Sequence, residues 1–265
     1  MKVIIVPTDF SENAFNALQC AIQYFTEEET QFIILHTYDF PMQDKQQDYE
    51  DKLDHLLERV EYLTYNHHHR FETRAIAGNF ITQLNDQVDY LNADLIVMGT
   101  QGKTADRKRS FGSNTLQVIK NVSCPVLAIP LELEYKSPDS ILFPSGLQVP
   151  FKDRELDLIS NLALQHSSSL HLLHIAQFDK LSQRQIEVKE FWDSRFRESE
   201  TKYTRHDLGD GTTVINNFIN KYDIDLLVLV NSKHSFIESF LKTTTIDALG
   251  LNLKIPFLIL QNLAR

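Results

Sequence analysis

Cysteine is nearly absent: Cys20 and Cys124 are the only two in 265 residues. That is too few for a disulfide framework, so the sequence predicts a protein of a reducing compartment. Long apolar runs are missing as well. No stretch approaches the roughly 20 residues of a membrane helix. Residues 1–7 (MKVIIVP) are too short a run for a secretory signal and lack its small-residue cleavage site, so the expected location is the cytoplasm. Basic residues are outnumbered, 26 Lys and Arg against 36 Asp and Glu, for a formal net charge of −10. That acidity speaks against binding to nucleic acid or to an anionic membrane surface. Glycine is scarce, with eight in the chain, and three of these stand at 99, 102 and 112. Glycine carries an entropic cost, so a local cluster marks a special backbone path or a close approach to a ligand. The remaining composition, 42% hydrophobic and 23% charged, is that of an ordinary globular protein.

The chain repeats itself. Residues 93–98 (ADLIVM) match 224–229 (IDLLVL), and 123–127 (SCPVL) match 254–258 (KIPFL). Asp94 and Asp225, Pro125 and Pro256, and Gly78 and Gly209 each lie 131 residues apart. Nearer the start, residues 4–7 (IIVP) match 141–144 (ILFP). This is a tandem duplication, with expected domains at 1–134 and 138–265 and a joint near Pro138. Within each half, short continuous apolar runs, the mark of strands buried on both faces, alternate with helical spacing. In the first half strands are expected at 2–7, 32–36, 71–76, 95–98 and 126–129. In the second they are expected near 140–144, 169–175, 202–207, 226–230 and 257–260, with helices near 152–166, 182–198, 212–222 and 243–252. The fold class is therefore α/β, two doubly wound, Rossmann-like domains, each with a five-stranded parallel sheet. Ligands of such sheets sit at the carboxyl ends of the strands, which directs attention to Pro7-Thr8-Asp9, His36-Thr37 and the segment that begins at Gly99.

That segment is neither a Walker A loop nor a GxGxxG fingerprint, because only two residues separate Gly99 from Gly102. It reads G-x2-G-x9-G-[S/T]. Gly112, Ser113 and Asn114 open a helix, whose free N–H groups and positive dipole end suit an anion. Residues 1–136 hold 12 basic against 20 acidic residues, yet Lys103, Arg107, Lys108 and Arg109 put four of those 12 within seven positions. A polyphosphate needs such a local positive field; a solvated loop whose bases offset neighbouring acids is the competing reading.

With these residues assembled, the first half resembles the universal stress proteins in their ATP-binding class. The resemblance rests on residues 6–11 (VPTDFS), Leu35-His36, residues 94–99 (DLIVMG), the spaced glycines and residues 123–127, and covers essentially 1–130. It implies a sheet ordered 3-2-1-4-5, with ATP, accompanied by Mg2+, across the switch point. It implies that Asp9 meets the nucleoside, that Pro7 and Thr8 shape the pocket, and that Thr37 offers backbone to the adenine. Gly99 and Gly102 would lie against ribose and phosphates, and Gly112, Ser113 and Asn114 would hold the phosphates. A phosphate role for Lys103 and Arg109 comes from their charge, not from the resemblance. Family dimers pair through strand five. The implied partners are thus ATP and the chain's own second half as an internal pseudo-dimer, or a second copy as a homodimer. The second half departs from the pattern: Gly146 stands where Asp9 does, residues 230–233 (VNSK) lack both glycines, and Thr243 and Thr244 replace Gly112 and Ser113. It reads as a degenerate docking partner. The expected function is an ATP-binding, stress-response regulatory protein. A slow ATPase or phosphate-transferring enzyme, for which Asp9 and Asp106 are the nearest water-orienting candidates, and a nucleotide-free scaffold are the alternatives.

No catalytic constellation and no metal-ligand spacing is expected. Adjacent histidines do not share a helix face, so His67, His68 and His69, read here as the end of a long helix, do not make a closed site. His36 and His174 are expected to be hydrogen-bonded structural residues, Ser11 an N-cap, Cys20 and Cys124 inert core, Trp192 packing between helices, and residues 27–29 (EEE) a solvated turn.

Overall fold

The computed structural model describes residues 1–39, 46–63, 66–100, 112–131, 133–176, 179–207, 209–231 and 254–262. The chain divides into two compact units, Met1–Tyr135 and Lys136–Arg265. In the first, β1(Lys2–Pro7), α1(Glu12–Tyr24), β2(Thr30–Tyr38), α2(Gln46–Leu63), β3(His69–Ala77), α3(Phe80–Leu91), β4(Leu95–Gly99), α4(Ser113–Asn121) and β5(Val126–Ile129) follow in turn. The strands are parallel and ordered β3-β2-β1-β4-β5. The second unit runs β6(Ser140–Ser145), α5(Asp153–Gln165), β7(Ser169–Ala176), α6(Gln183–Arg195), β8(Glu200–Asp207), α7(Gly211–Tyr222), β9(Leu226–Asn231) and β10(Phe257–Gln261). Its strands are again parallel, in the matching order β8-β7-β6-β9-β10. The helix expected over 243–252 lies outside the described residues.

Helices cover both faces of a parallel sheet, which is why its central strands read as unbroken apolar runs. Ile4, Ile5, Phe32, Ile33, Leu95, Val97, Val126 and Leu127 are all inaccessible to solvent, as are Ile141, Phe143, Leu226 and Val228. The core of the second unit gathers around Trp192, whose ring lies 4.6 Å from that of Phe143 and 4.3 Å from that of Phe196. Cys20 and Cys124 are buried, and burial pushes the Cys20 thiol up to about 11. Among the described residues no helix is long and apolar enough to cross a membrane.

The duplication extends to individual hydrogen bonds. Asp94 N–H donates to the Val3 carbonyl at 2.9 Å, and its Oδ2 accepts from Val3 N–H at 2.9 Å. Asp225 repeats this with Ser140, at 2.9 and 3.0 Å. The residues two before them, Asn92 and Asp223, close α3 and α7 in the left-handed conformation, with φ of 49° and 50°. That conformation suits the short polar side chains of Asn and Asp. Asn79 and Asp210 cap the starts of the same helices, and Ser11 Oγ caps α1 by accepting from Ala14 N–H at 3.1 Å.

Three expectations are corrected. The long helix α2 ends at Leu63, so the histidine triplet is not its last turn. His67 and His68 form a turn, and His69 opens β3. There His69 Nε2 donates to the Phe25 carbonyl at 2.9 Å, while its buried Nδ1 meets no partner. The glutamate run is not wholly solvated, because Glu28 pairs with the buried Lys2 at 2.6 Å. Strand β2 runs two residues past His36, to Tyr38, which places Thr37 within it. The outer strand β8 is exposed and laced with charge: Lys202 pairs with Glu200 at 2.9 Å, and Arg205 with Asp207 at 3.0 Å.

Asp94→Ala leaves the Val3 amide without its side-chain acceptor. It is expected to destabilise the first unit by about 1–3 kcal/mol in urea unfolding, and Asp94→Asn, which keeps an acceptor oxygen, by less. Burial lowers the affinity of His69, His171 and His174 for a proton, with His68, Lys202 and Arg205 respectively adding charge repulsion. The native state thus binds fewer protons than the unfolded chain just below the ordinary histidine value, and stability falls as pH drops from about 6.5. Glu155, raised by burial, acts in the opposite sense above 4.5, so the informative quantity is a difference between variants. His69→Gln keeps the bond to Phe25 and removes the titration. Its loss of Tm between about pH 7.5 and 5.5 is expected to be smaller than that of the wild type.

Candidate functional site

The pairing of β1 with β4 spans only two residue pairs, Ile4 with Leu95 and Ile5 with Ile96. Beyond them β1 leads into a turn. Thr8 N–H donates to the Leu35 carbonyl at 2.8 Å, continuing the ladder one residue past β1. The chain then reverses. Thr8 Oγ1 accepts from Phe10 N–H at 3.0 Å, and Asp9 Oδ1 accepts from Ser11 N–H at 3.0 Å. Phe10 takes a left-handed φ of 60°, a rare state for a bulky side chain. His36 Nδ1 lies 2.8 Å from the Thr8 carbonyl. A carbonyl only accepts, so Nδ1 carries the proton. Next to these lies an aromatic group: the Phe10 and Tyr49 rings are 4.5 and 4.6 Å from His36.

At the end of β4, Thr115 Oγ1 donates to the Gly99 carbonyl at 2.9 Å, and Gly112 N–H donates to the Thr100 carbonyl at 2.7 Å. These bonds seat the start of α4 on the end of β4. Gly112 occupies the N-cap without a side-chain cap, and Ser113 and Asn114 are exposed. The first amides of α4 thus receive no capping oxygen from Gly112. Gly99 has a reason internal to the fold: a Cβ there would lie 2.4 Å from Asn13 Nδ2 of α1. Thr37 belongs to the same end of the sheet. Leu35 turns its carbonyl towards β1. Two residues on, Thr37 presents its N–H and C=O to that side, past Pro7, where the pairing of β1 with β2 stops.

Of the residues singled out in the sequence, Pro7, Thr8, Asp9, Thr37, Gly99, Gly112, Ser113 and Asn114 all lie at or just beyond the carboxyl ends of β1, β2 and β4. Gly102, Lys103 and Arg109, with Arg107 and Lys108, lie outside the described residues. Sequence reasoning missed Asn13, Thr115, Phe10 and Tyr49. Asn13 and Thr115 are polar residues on otherwise apolar helix faces, which is the signal that was available. The conformation of Phe10 had none. Among the described residues no group of three His, Cys, Asp or Glu side chains is placed to hold a metal.

The second unit keeps the turn and changes its contents. Ser145 Oγ accepts from Leu147 N–H at 3.0 Å, and Leu147 has a φ of 54°. Between them stands Gly146, whose carbonyl receives Gln185 Nε2 at 2.9 Å. His174 turns Nδ1 to the Tyr203 hydroxyl at 2.8 Å. At the end of β9, Asn231 Nδ2 donates to Gln261 Oε1 at 2.8 Å in a buried pair. Here the carbonyl at the place of Asp9 is bonded by a side chain from α6, whereas in the first unit the bond from β2 goes to the preceding carbonyl, that of Thr8.

Residues 1–130 match the model of the universal stress protein family. A universal stress protein of Methanocaldococcus jannaschii is 28% identical over 138 residues, covering 48% of this chain and 81% of that protein. A crystal structure of a universal stress protein from Archaeoglobus fulgidus superimposes over 98% of this chain and 96% of its own, with a TM-score of 0.71 at 14% identity. A functionally unknown protein from Pseudomonas aeruginosa gives a TM-score of 0.66 at 13% identity, covering 98% of this chain and 92% of that one. At those identities the two structures speak for the fold, and the family match speaks for residues 1–130. Residues 1–130 thus match the universal stress protein family, and the second unit repeats the strand order of the first.

Proposed function

We propose that the first unit binds one ATP, with Mg2+, at the carboxyl ends of β1, β2 and β4, and that the bound nucleotide makes the protein a regulatory element of a stress response. The observation that carries this reading is the convergence of three unlike groups at one sheet end. These are the Asp9 carboxylate, the outward-turned backbone of Thr37, and the start of α4, where Gly112 leaves the first amides without a side-chain cap. Each suits a different part of a nucleotide. Asp9 accepts hydrogen bonds from ribose hydroxyls. Thr37 offers one donor and one acceptor to a base edge. The amides of Ser113 and Asn114 and the positive end of α4 receive phosphate oxygens. Lys103 and Arg109 add positive charge in an otherwise acidic unit, and Gly102 leaves room for close backbone approach. Mg2+ would be held chiefly by the phosphates and water, and it would neutralise phosphate charge. The second unit is read as a partner that has kept the fold without the ligand, since Gly146 supplies no carboxylate and its carbonyl is already bonded.

Protein heated after purification is expected to release about one ATP or ADP per chain, identified by mass spectrometry. Asp9→Ala removes a hydrogen bond to a charged group, a loss of about 1.5–3 kcal/mol, and is expected to weaken ATP about tenfold to a hundredfold in calorimetric titration. Two nucleotides per chain would overturn the assignment to the first unit alone. Failure to bind ATP at about millimolar concentration would overturn nucleotide binding itself.

A further inference from the structure

We propose that His36 is a positioning residue for Asp9, holding the carboxylate in place before any ligand arrives. The consequence for nucleotide affinity rests on the reading above; the effect on Asp9 does not. The Thr8 carbonyl belongs to the peptide plane that carries the Asp9 nitrogen, and His36 Nδ1–H donates to it at 2.8 Å. On the other side of Asp9, Phe10 is fixed in its left-handed state, its N–H bonded to Thr8 Oγ1. Its ring lies against His36 at 4.5 Å and parallel to Tyr49, within 4°, at 6.5 Å. One imidazole thus braces the backbone before Asp9 through a hydrogen bond and the residue after it through ring contact. Asp9 sits between, with its Oδ1 on the Ser11 amide.

The second unit is an internal comparison. It forms the same reverse turn, with the same hydroxyl bond and a left-handed Leu147. There, however, His174 Nδ1 bonds to the Tyr203 hydroxyl, and it is Gln185 that bonds the carbonyl of Gly146, one residue further on. The turn therefore forms without a histidine on the carbonyl of its first residue. That bond is made in the unit whose turn carries an aspartate, and it differs in the unit whose turn carries a glycine. Its role is to place a side chain, not to build the turn.

The test separates the donor from the ring. His36→Phe keeps an aromatic ring between Phe10 and Tyr49 and loses the donor. His36→Asn restores an N–H near the Nδ1 position. In the ligand-free full-length protein, amide hydrogen exchange of Ser11, which reports the bond to Asp9 Oδ1, is expected to speed up about tenfold or more in His36→Phe and to stay near wild type in His36→Asn. The Ser140 amide, held by Asp225 in the other unit, should not change in either. The Kd for ATP is expected to rise about tenfold in His36→Phe and to return to within about threefold in His36→Asn. Unchanged Ser11 exchange in His36→Phe would overturn the proposal, as would a His36→Asn protein as impaired as His36→Phe. If His36→Phe does not fold, His36→Asn against His36→Ala gives the same contrast. Should the wild type bind no ATP, the nucleotide reading falls while Ser11 exchange still decides the role of His36.

Discussion

The carboxyl end of each sheet is shaped by a bond at the opposite end. Asp94 and Asp225 each clasp the amino end of the central strand through one backbone and one side-chain hydrogen bond. That clasp sets the register of β4 on β1 and of β9 on β6. From there the central strands pair for only two residue pairs and part. Connections leave β1 and β4 towards opposite edges of the sheet, to β2 and β5 respectively. In the first unit the turn that follows β1, the start of α4 and the end of β2 therefore belong to one end of the sheet.

The halves then show how one scaffold diverges. Features that set the architecture are the same in both, down to left-handed residues that are not glycine, Phe10 and Leu147. Features that would meet a ligand differ. A carboxylate is replaced by Gly146, a glycine by Val230, and a turn held by His36 from β2 by one bonded to Gln185 from α6. A backbone that over-determines its turns tolerates such exchanges, because the strain at the left-handed residue is offset by hydrogen bonds that do not involve the exchanged side chain.

Much of this was legible in the sequence. Doubly buried strands leave unbroken apolar runs and the cap at Ser11 is local, so the strands and the start of α1 could be read directly, whereas the strand order came from the family resemblance. The glycines and Asp9 could be read as a site because they fall where strands end. What could not be read was long-range or conformational. Gly99 reads as room for a ligand, whereas the space beside its Cα is filled by Asn13 from another element. His69 reads as part of a histidine run, whereas it is held by the carbonyl of Phe25, 44 residues earlier. Glu28 reads as surface until Lys2 is placed beside it. In each case one member of the pair lies in α1 or the turn after it, and the two are brought together by tertiary packing, which a linear pattern does not encode.

The outer strand β8 has a consequence for how the protein behaves in a crowded solution. Unsatisfied edges of sheets recruit strands from other molecules and seed fibrils. Here the edge carries Glu200, Lys202, Arg205 and Asp207, bonded along the strand in pairs. A second molecule adding a strand would have to strip water from those charges, so growth of the sheet in that direction is disfavoured.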